Sequence, residues 1–246
     1  FFQQRRCPAP DWTPRRHLSE GIDNALAALP SRTLGEVEMV SLSTTLATNS
    51  IVEGRGGRVC LVLIGYPNDA LDRAGLGEAM AGDPVVFIRG GHTVAGDEQE
   101  PLDEAAAETA AAEWGGRVSA FAVSGYFGVK NPTHENRVRK IIRGRTGLPV
   151  TCGHELTSNL HASRRALTAA FNARLVPLLQ NLILSVQDIL VKKGISAPLM
   201  VVKGDGSLMD SRFALEYPIE TILSRPEEHT SEIQSRITPS YAVIGW

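Results

Sequence analysis

Arg58-Val59-Cys60-Leu61-Val62-Leu63-Ile64-Gly65 is the stretch that decides how the rest of the chain is read. From Val59 to Ile64 every side chain is apolar. A strand with one wet face alternates apolar and polar residues, whereas a strand covered on both faces reads as an unbroken apolar run. Residues 38–43, 84–89, 118–123 and 149–153 repeat the β-rich type. Between them the apolar spacing is helical, at 45–52, 70–80, 102–114 and 132–145. Strands alternating with helices imply right-handed crossovers, and so an α/β fold with a largely parallel sheet.

The character changes after Asn159. Leu167, Phe171, Leu175, Leu178, Leu182, Val186 and Ile189 recur at steps of three or four. That spacing predicts a long helix over 163–193 with one continuous buried stripe. Pro177 lies inside it and removes a hydrogen bond to the Ala173 carbonyl, at a cost of ~3 kcal/mol. A kink or two consecutive helices is therefore expected. Gly194 is the expected left-handed cap, with Lys192 and Lys193 set against the negative end of the helix dipole. Residues 198–203 read as one more buried strand, which runs into Gly204-Asp205-Gly206.

Composition narrows the classes of function. The 246 residues are 43% hydrophobic and 21% charged, which is ordinary for a globular protein. A formal charge of −2 leaves no basic footprint for nucleic acid or for an anionic membrane surface. The longest apolar run, at 59–64, is far short of the ~20 residues that cross a bilayer, so no membrane span is expected. Cys7, Cys60 and Cys152 are too scattered for a disulfide framework or a paired-cysteine zinc site. They read as reduced thiols of a cytoplasmic protein.

Three groups of residues have chemistry available to them. Ser43-Thr44-Thr45-Leu46-Ala47-Thr48-Asn49 stands where a strand meets a helix. Free N–H groups there favour anions or polarised carbonyls, although a capping hydroxyl explains the same residues. Gly204-Asp205-Gly206 ends a buried strand, where open α/β sheets bind ligands and an aspartate can hold magnesium through water. A tight turn explains Asp-Gly equally. His92, His134, His154 and His161 lack the i, i+4 pairing of a helical zinc site and read as structural histidines, so no metal site is expected.

The segment 43–54 resembles the Thr-Thr-x-Ala-Thr-Asn stretch of the ATP-dependent hydantoinase/oxoprolinase family, in its hydantoinase A-type subunit. Residues 164–173, with Pro177 following, are similar to its central helix. Residues 201–209 and then Pro218-Ile219-Glu220-Thr221-Ile222-Leu223-Ser224 resemble its Gly-Asp-Gly-x-Leu-Met and Pro-x-Glu-Thr-Ile-Leu-Ser motifs.

The resemblance implies an actin-like ATPase fold, shared with sugar kinases, heat-shock chaperones and actin. It also implies an enzyme that opens a cyclic amide of the hydantoin or 5-oxoproline type by phosphorylating the amide oxygen. ATP and Mg2+ are the implied cofactors, and a hydantoinase B-type subunit or domain is the implied partner. Thr44, Thr45 and Asn49 become the expected substrate contacts, and Gly204, Asp205 and Gly206 the expected nucleotide contacts. Arg164 and Asn172 are lesser candidates, and no catalytic residue is assigned. A sugar-kinase-like or carboxylase subunit, or a non-catalytic binding module, is the competing reading, since one fold hosts many reactions.

The resemblance also sets expectations for the layout. Residues 17–159 correspond to the family's N-terminal α/β region and 160–224 to the start of its ATPase-like domain. Neither of the family's two glycine-rich phosphate loops is found, so the chain reads as a fragment that neither binds ATP well nor hydrolyses it. Residues 1–16 carry no periodicity. Residues 227–236 resemble the translation of a sequencing-library adapter, so 225–246 are expected to be non-native and to lie outside the fold unpacked. The segment 37–154 is expected to form one compact α/β unit.

Overall fold

A computed structural model describes residues 37–43, 56–158, 160–217 and 241–245. It is an α/β protein whose chain divides into two compact units, the first comprising 1–48, 179–215 and 220–246 and the second 49–178 and 216–219. The second unit is thus an insertion in the first.

The first unit opens with β1 (Met39–Ser43). The second unit's sheet contains β2 (Val59–Ile64), β3 (Val85–Ile88), β4 (Ala120–Gly125) and β5 (Val150–Cys152) in the order β3-β2-β4-β5, all parallel. Its helices are α1 (Leu76–Ala79), α2 (Glu104–Trp114), α3 (Thr133–Thr146) and α4 (Gly153–Leu156). The long helix α5 (Ala162–Lys192) leads back into the first unit. There β6 (Leu199–Val202), β7 (Leu208–Asp210), α6 (Ser211–Glu216) and β8 (Tyr241–Gly245) follow.

The unbroken apolar run is β2, and all six of its side chains are buried. Val59, Leu61 and Leu63 face one way, against Ala162, Ala166, Ala169, Ala170 and Ala173 of α5. Cys60, Val62 and Ile64 face the other, against Ala107, Ala111, Val138 and Ile142 of α2 and α3. Side chains alternate across a strand, so only apolar residues at every position serve two covered faces.

Four expectations are corrected. First, β1 does not join the 37–154 unit. It pairs in parallel with β6, Val40 opposite Leu199, in a second sheet of order β7-β6-β1-β8. Second, residues 70–80 are not one helix but a 3-10 turn, Ala70–Asp72, followed by the single turn α1. Ala74 and Gly75 break the helix with positive φ of 55° and 69°.

Third, the buried stripe of α5 is displaced in its first half. The alanines are buried and Leu167 and Phe171 only half so, because small side chains let the helix lie close on β2 and β4. The stripe is regained at Leu182, Val186 and Ile189, which pack with Val40, Leu42 and Val201. Pro177 sits inside one continuous helix, not between two. Burial of Leu175 and Val176 before it and Leu179 and Leu182 after it, at ~1.5–3 kcal/mol each, outweighs the ~3 kcal/mol it costs. Helix α5 is long and apolar enough to cross a membrane by length and composition alone. Its buried residues, however, belong to two protein cores.

Fourth, Tyr241–Gly245 does not lie apart from the fold. It forms β8, paired in parallel with β1 from Met39–Tyr241 to Ser43–Gly245. An open strand edge presents unpaired N–H and C=O groups, and the β-prone Tyr-Ala-Val-Ile-Gly satisfies them. Ile233, Ile237 and Trp246 lie outside the described residues.

The cap of α5 is as expected. Gly194 has φ 70°, its N–H donates to Val191 O at 3.0 Å, and Ile195 N donates to Leu190 O at 2.9 Å. This pair of bonds closes the helix, and Ile195 and Leu190 share one core cluster.

Candidate functional site

In the second unit the connection from β2 goes out to β3, and the connection from β3 returns across β2 to β4. The order reverses between β2 and β4. Open parallel sheets place their ligand crevice at the carboxyl ends of such a strand pair. Here those ends are Ile64-Gly65-Tyr66 and Ser124-Gly125-Tyr126.

Glycines let the strand ends crowd together. Gly65 has φ 67°, and a β-carbon on it would stand 2.5 Å from Gly90 O. Tyr66 Oη lies 2.8 Å from Ser124 Oγ and donates to Ala162 O at 2.8 Å. Burial pushes its phenol pKa well up, so it stays a neutral hydrogen-bonding group. Tyr126 meets the Tyr66 ring edge to face at 5.3 Å.

Gly125 is held between two fully buried charged side chains. Its N–H donates to Glu135 Oε1 at 2.7 Å, while Arg165 Nη2 donates to its carbonyl at 2.6 Å and to Tyr126 O at 2.7 Å. Glu135 comes from the first turn of α3, where a carboxylate suits the positive end of the helix. Its Oε2 accepts from His154 N at 3.1 Å and from His154 Nδ1 at 2.6 Å. The neighbouring His134 accepts from Gly91 N at 3.0 Å through Nδ1, so Nε2 is the nitrogen that donates to Glu98 Oε1, at 2.9 Å. The His92 ring stacks on it at 4.3 Å. His134 and Glu135 thereby fasten the ends of β3, β4 and β5 to one helix start.

The arrangement can fix loops at a sheet edge, hold a proton between carboxylate and imidazole, and offer donors to a cation. Ligand atoms of Glu135, Cys152 and His154 all lie within 4.8 Å of one another. Burial and the Glu135 carboxylate push the Cys152 thiol pKa well up.

The residues expected from the sequence are placed elsewhere or not described. Thr44, Thr45 and Asn49 lie outside the described residues. Gly204, Asp205 and Gly206 form the hairpin turn between β6 and the antiparallel β7. Asp205 Oδ1 accepts from Ser207 N at 2.9 Å and Ser207 Oγ at 2.6 Å, and these bonds hold its carboxyl below the usual range. Asn172 is buried and donates to Thr151 Oγ1 at 3.1 Å, while Arg164 is exposed. Sequence reasoning missed Tyr66, Glu135 and Arg165. A glutamate inside a helix and an arginine in an alanine-rich one carry no spacing signal, and only the strand order brings them together.

The model of the hydantoinase/oxoprolinase N-terminal region matches residues 11–146, and the hydantoinase/oxoprolinase model matches 165–229. The chain belongs to the hydantoinase/oxoprolinase family. This family member is similar to the caprolactamase alpha subunit of Pseudomonas jessenii, with 28% identity over 225 residues, 83% of this chain and 32% of the relative. It is also similar to the acetophenone carboxylase gamma subunit of Aromatoleum aromaticum, 26% identical over 83% of this chain and 32% of the relative.

Two solved structures share the fold. The ATP-dependent caprolactamase from Pseudomonas jessenii superposes with a TM-score of 0.70 at 24% identity, over 85% of this chain and 33% of that one. Nucleotide-free acetone carboxylase does so with 0.62 at 18% identity, over 84% and 32%. The α/β class expected for an actin-like ATPase is met. This hydantoinase/oxoprolinase chain spans about a third of the length of these relatives.

Proposed function

We propose that the protein uses ATP to open a cyclic amide of the hydantoin, 5-oxoproline or lactam type by phosphorylating the amide oxygen. The observation that carries this reading is the family match along both halves of the chain, joined to a relative named for opening a lactam. An unstrained amide is a poor electrophile. Transferring the γ-phosphoryl group to its oxygen gives an imidate that water attacks at carbon. The C–N bond then breaks to give an acyl phosphate, which a second water attacks at carbon, releasing the carboxylate and a phosphate that keeps the amide oxygen. Catalysis of phosphoryl transfer is mainly positioning and charge neutralisation. The chain spans about a third of its relatives, so the reaction is assigned to the whole protein.

Within this proposal Thr44, Thr45 and Asn49 contact the amide, and Gly204, Asp205 and Gly206 border the nucleotide. The β6–β7 turn fits one part of that role. Asp205 is held ionised and half-exposed, as a carboxylate that orients Mg2+ through water must be. It does not resemble a phosphate cradle, because Gly206 N is used by Lys203 O and Ser207 N by Asp205. Magnesium would supply charge neutralisation at the transferred phosphoryl group. A hydantoinase B-type subunit is the proposed partner, in keeping with relatives that are themselves named as subunits, and the cytoplasm is the proposed location.

The second reading is ATP-dependent carboxylation of a ketone, favoured by the acetophenone carboxylase relative. The test is ADP release by the whole protein with its partner subunit. Hydantoin, 5-oxoproline and caprolactam are compared with acetophenone and acetone plus bicarbonate. Turnover with a cyclic amide supports the first reading, and turnover with only ketone and bicarbonate replaces it with the second.

A further inference from the structure

We propose that Glu135, Cys152 and His154 form a binding site for one divalent cation of the zinc type at the carboxyl end of β5. The three donors come from α3, from the last residue of β5 and from α4, and their ligand atoms lie within 4.8 Å of one another. Glu135 and Cys152 are fully buried, and the His154 side chain is 17% exposed, so the cation enters past the imidazole.

A thiolate, an imidazole and a carboxylate are the donors zinc takes, and not those of magnesium or calcium, which prefer all-oxygen shells. Three protein ligands leave a fourth position open. Charge also balances. A doubly positive ion with one thiolate and one carboxylate is neutral, which matters where an unpaired buried charge is costly.

The supports such a site needs are already in place. Gly125 N holds Oε1 and His154 N holds Oε2, so the carboxylate is oriented by two backbone donors that the cation leaves undisturbed. Cys152 Sγ is turned toward Glu135, 3.7 Å from its carbonyl oxygen. Two contacts are given up, the 2.6 Å contact between His154 Nδ1 and Oε2 and the hydrogen bond from the Cys152 thiol to the Glu135 carbonyl. The Cys152 thiol proton passes to solvent, and the imidazole proton moves from Nδ1 to Nε2, so that Nδ1 is free to bind and the imidazole stays neutral. With metal–ligand bonds of about 2.0–2.3 Å, the donors shift by well under the width of the cluster. This site is independent of the proposed reaction and belongs to the inserted unit itself.

The test is a cobalt(II) titration of the purified chain in a Cys7→Ser background, followed through thiolate-to-cobalt charge-transfer absorption and reversed by zinc. The expected result is a band that saturates at one equivalent, persists in Cys60→Ala and is lost in Cys152→Ala. His154→Ala alters a partly exposed side chain and decides the matter if Cys152→Ala fails to fold. It should weaken cobalt binding by at least the ~10–100-fold seen when a supporting partner of a metal ligand is removed. Absence of the band in the folded chain, or a band unchanged in His154→Ala, overturns the proposal.

Discussion

Gly128 packs so tightly against Glu135 that a β-carbon on the glycine would overlap the carboxylate Oε1. The carboxylate cannot swing away cheaply, since Gly125 N and His154 N hold it in place. Gly128→Ala is expected to cost ~1–3 kcal/mol, the usual range for overpacking. Gly144 is the control. It is exposed within α3 with nothing near its absent β-carbon, so Gly144→Ala should stabilise by ~0.5–1 kcal/mol. Urea midpoints moving in opposite directions would confirm both.

The ion pair between Arg174 and Asp83 ties α5 to the end of the β2–β3 connection. Arg174 donates to Asp83 Oδ2 from Nη2 at 2.7 Å and from Nε at 3.1 Å, and Nη2 also donates to Ala79 O. Asp83→Ala should cost ~1.5–3 kcal/mol, the range for hydrogen bonds to charged groups. A chemical-denaturation midpoint unchanged from wild type would show that the pair is screened by solvent.

Cys60 gives a pH dependence of known sign. Burial, then the nearby Glu113 and Asp83 charges, push its thiol up to about 12 from an ordinary 9.0. Above pH 9.0 the unfolded chain loses this proton while the folded chain keeps it, so the contribution to stability falls as pH rises toward about 12. The slope approaches ~1.4 kcal/mol per pH unit. Urea midpoints for wild type should drop faster than those for Cys60→Ala on the alkaline side, and parallel curves would refute the assignment. The folded chain should also protect Cys60 from alkylation.

At the acid end His92 acts with the opposite sense. Burial and His134 lower its pKa below 6.5, against smaller opposing effects of Glu98 and Glu135. Below pH 6.5 the unfolded chain takes up a proton that the folded chain refuses, so stability falls with pH until the folded value is passed. His92→Gln should flatten this acid limb in a denaturation series. An unchanged limb would assign it to other groups.

The strands of the inserted unit and its helices α2 and α3 were legible because their patterns are extreme. Val59–Ile64 is apolar throughout, and α3, expected over 132–145, runs from Thr133 to Thr146 and ends on a left-handed Gly147. What was not legible depended on partners distant in sequence. Nothing in Met39–Ser43 says that it pairs with Leu199–Val202 rather than with the strand that follows it. Nothing in Ala166 or Ala169 marks them as more buried than Leu167, because close helix–sheet approach is a property of both surfaces. The buried cluster at Glu135 was hidden for the same reason. Its members come together only through the strand order.

Asp205 separates two roles cleanly. Asp205→Asn keeps an oxygen to accept from Ser207 and so preserves the hairpin, but removes the charge. Under the proposed function it lowers ATP turnover of the whole protein with the denaturation midpoint unchanged. Unaltered turnover would leave Asp205 as a turn residue alone.

The most direct test of the central claim follows the oxygen of the amide. The whole protein and its partner subunit are given ATP and a cyclic amide whose carbonyl oxygen carries an isotopic label, and the released phosphate is analysed by mass. Phosphorylation of the amide oxygen, followed by cleavage of the acyl phosphate at carbon, predicts labelled phosphate in step with ring opening and ADP. Ring opening that leaves the phosphate unlabelled, or proceeds without ADP, would contradict the account.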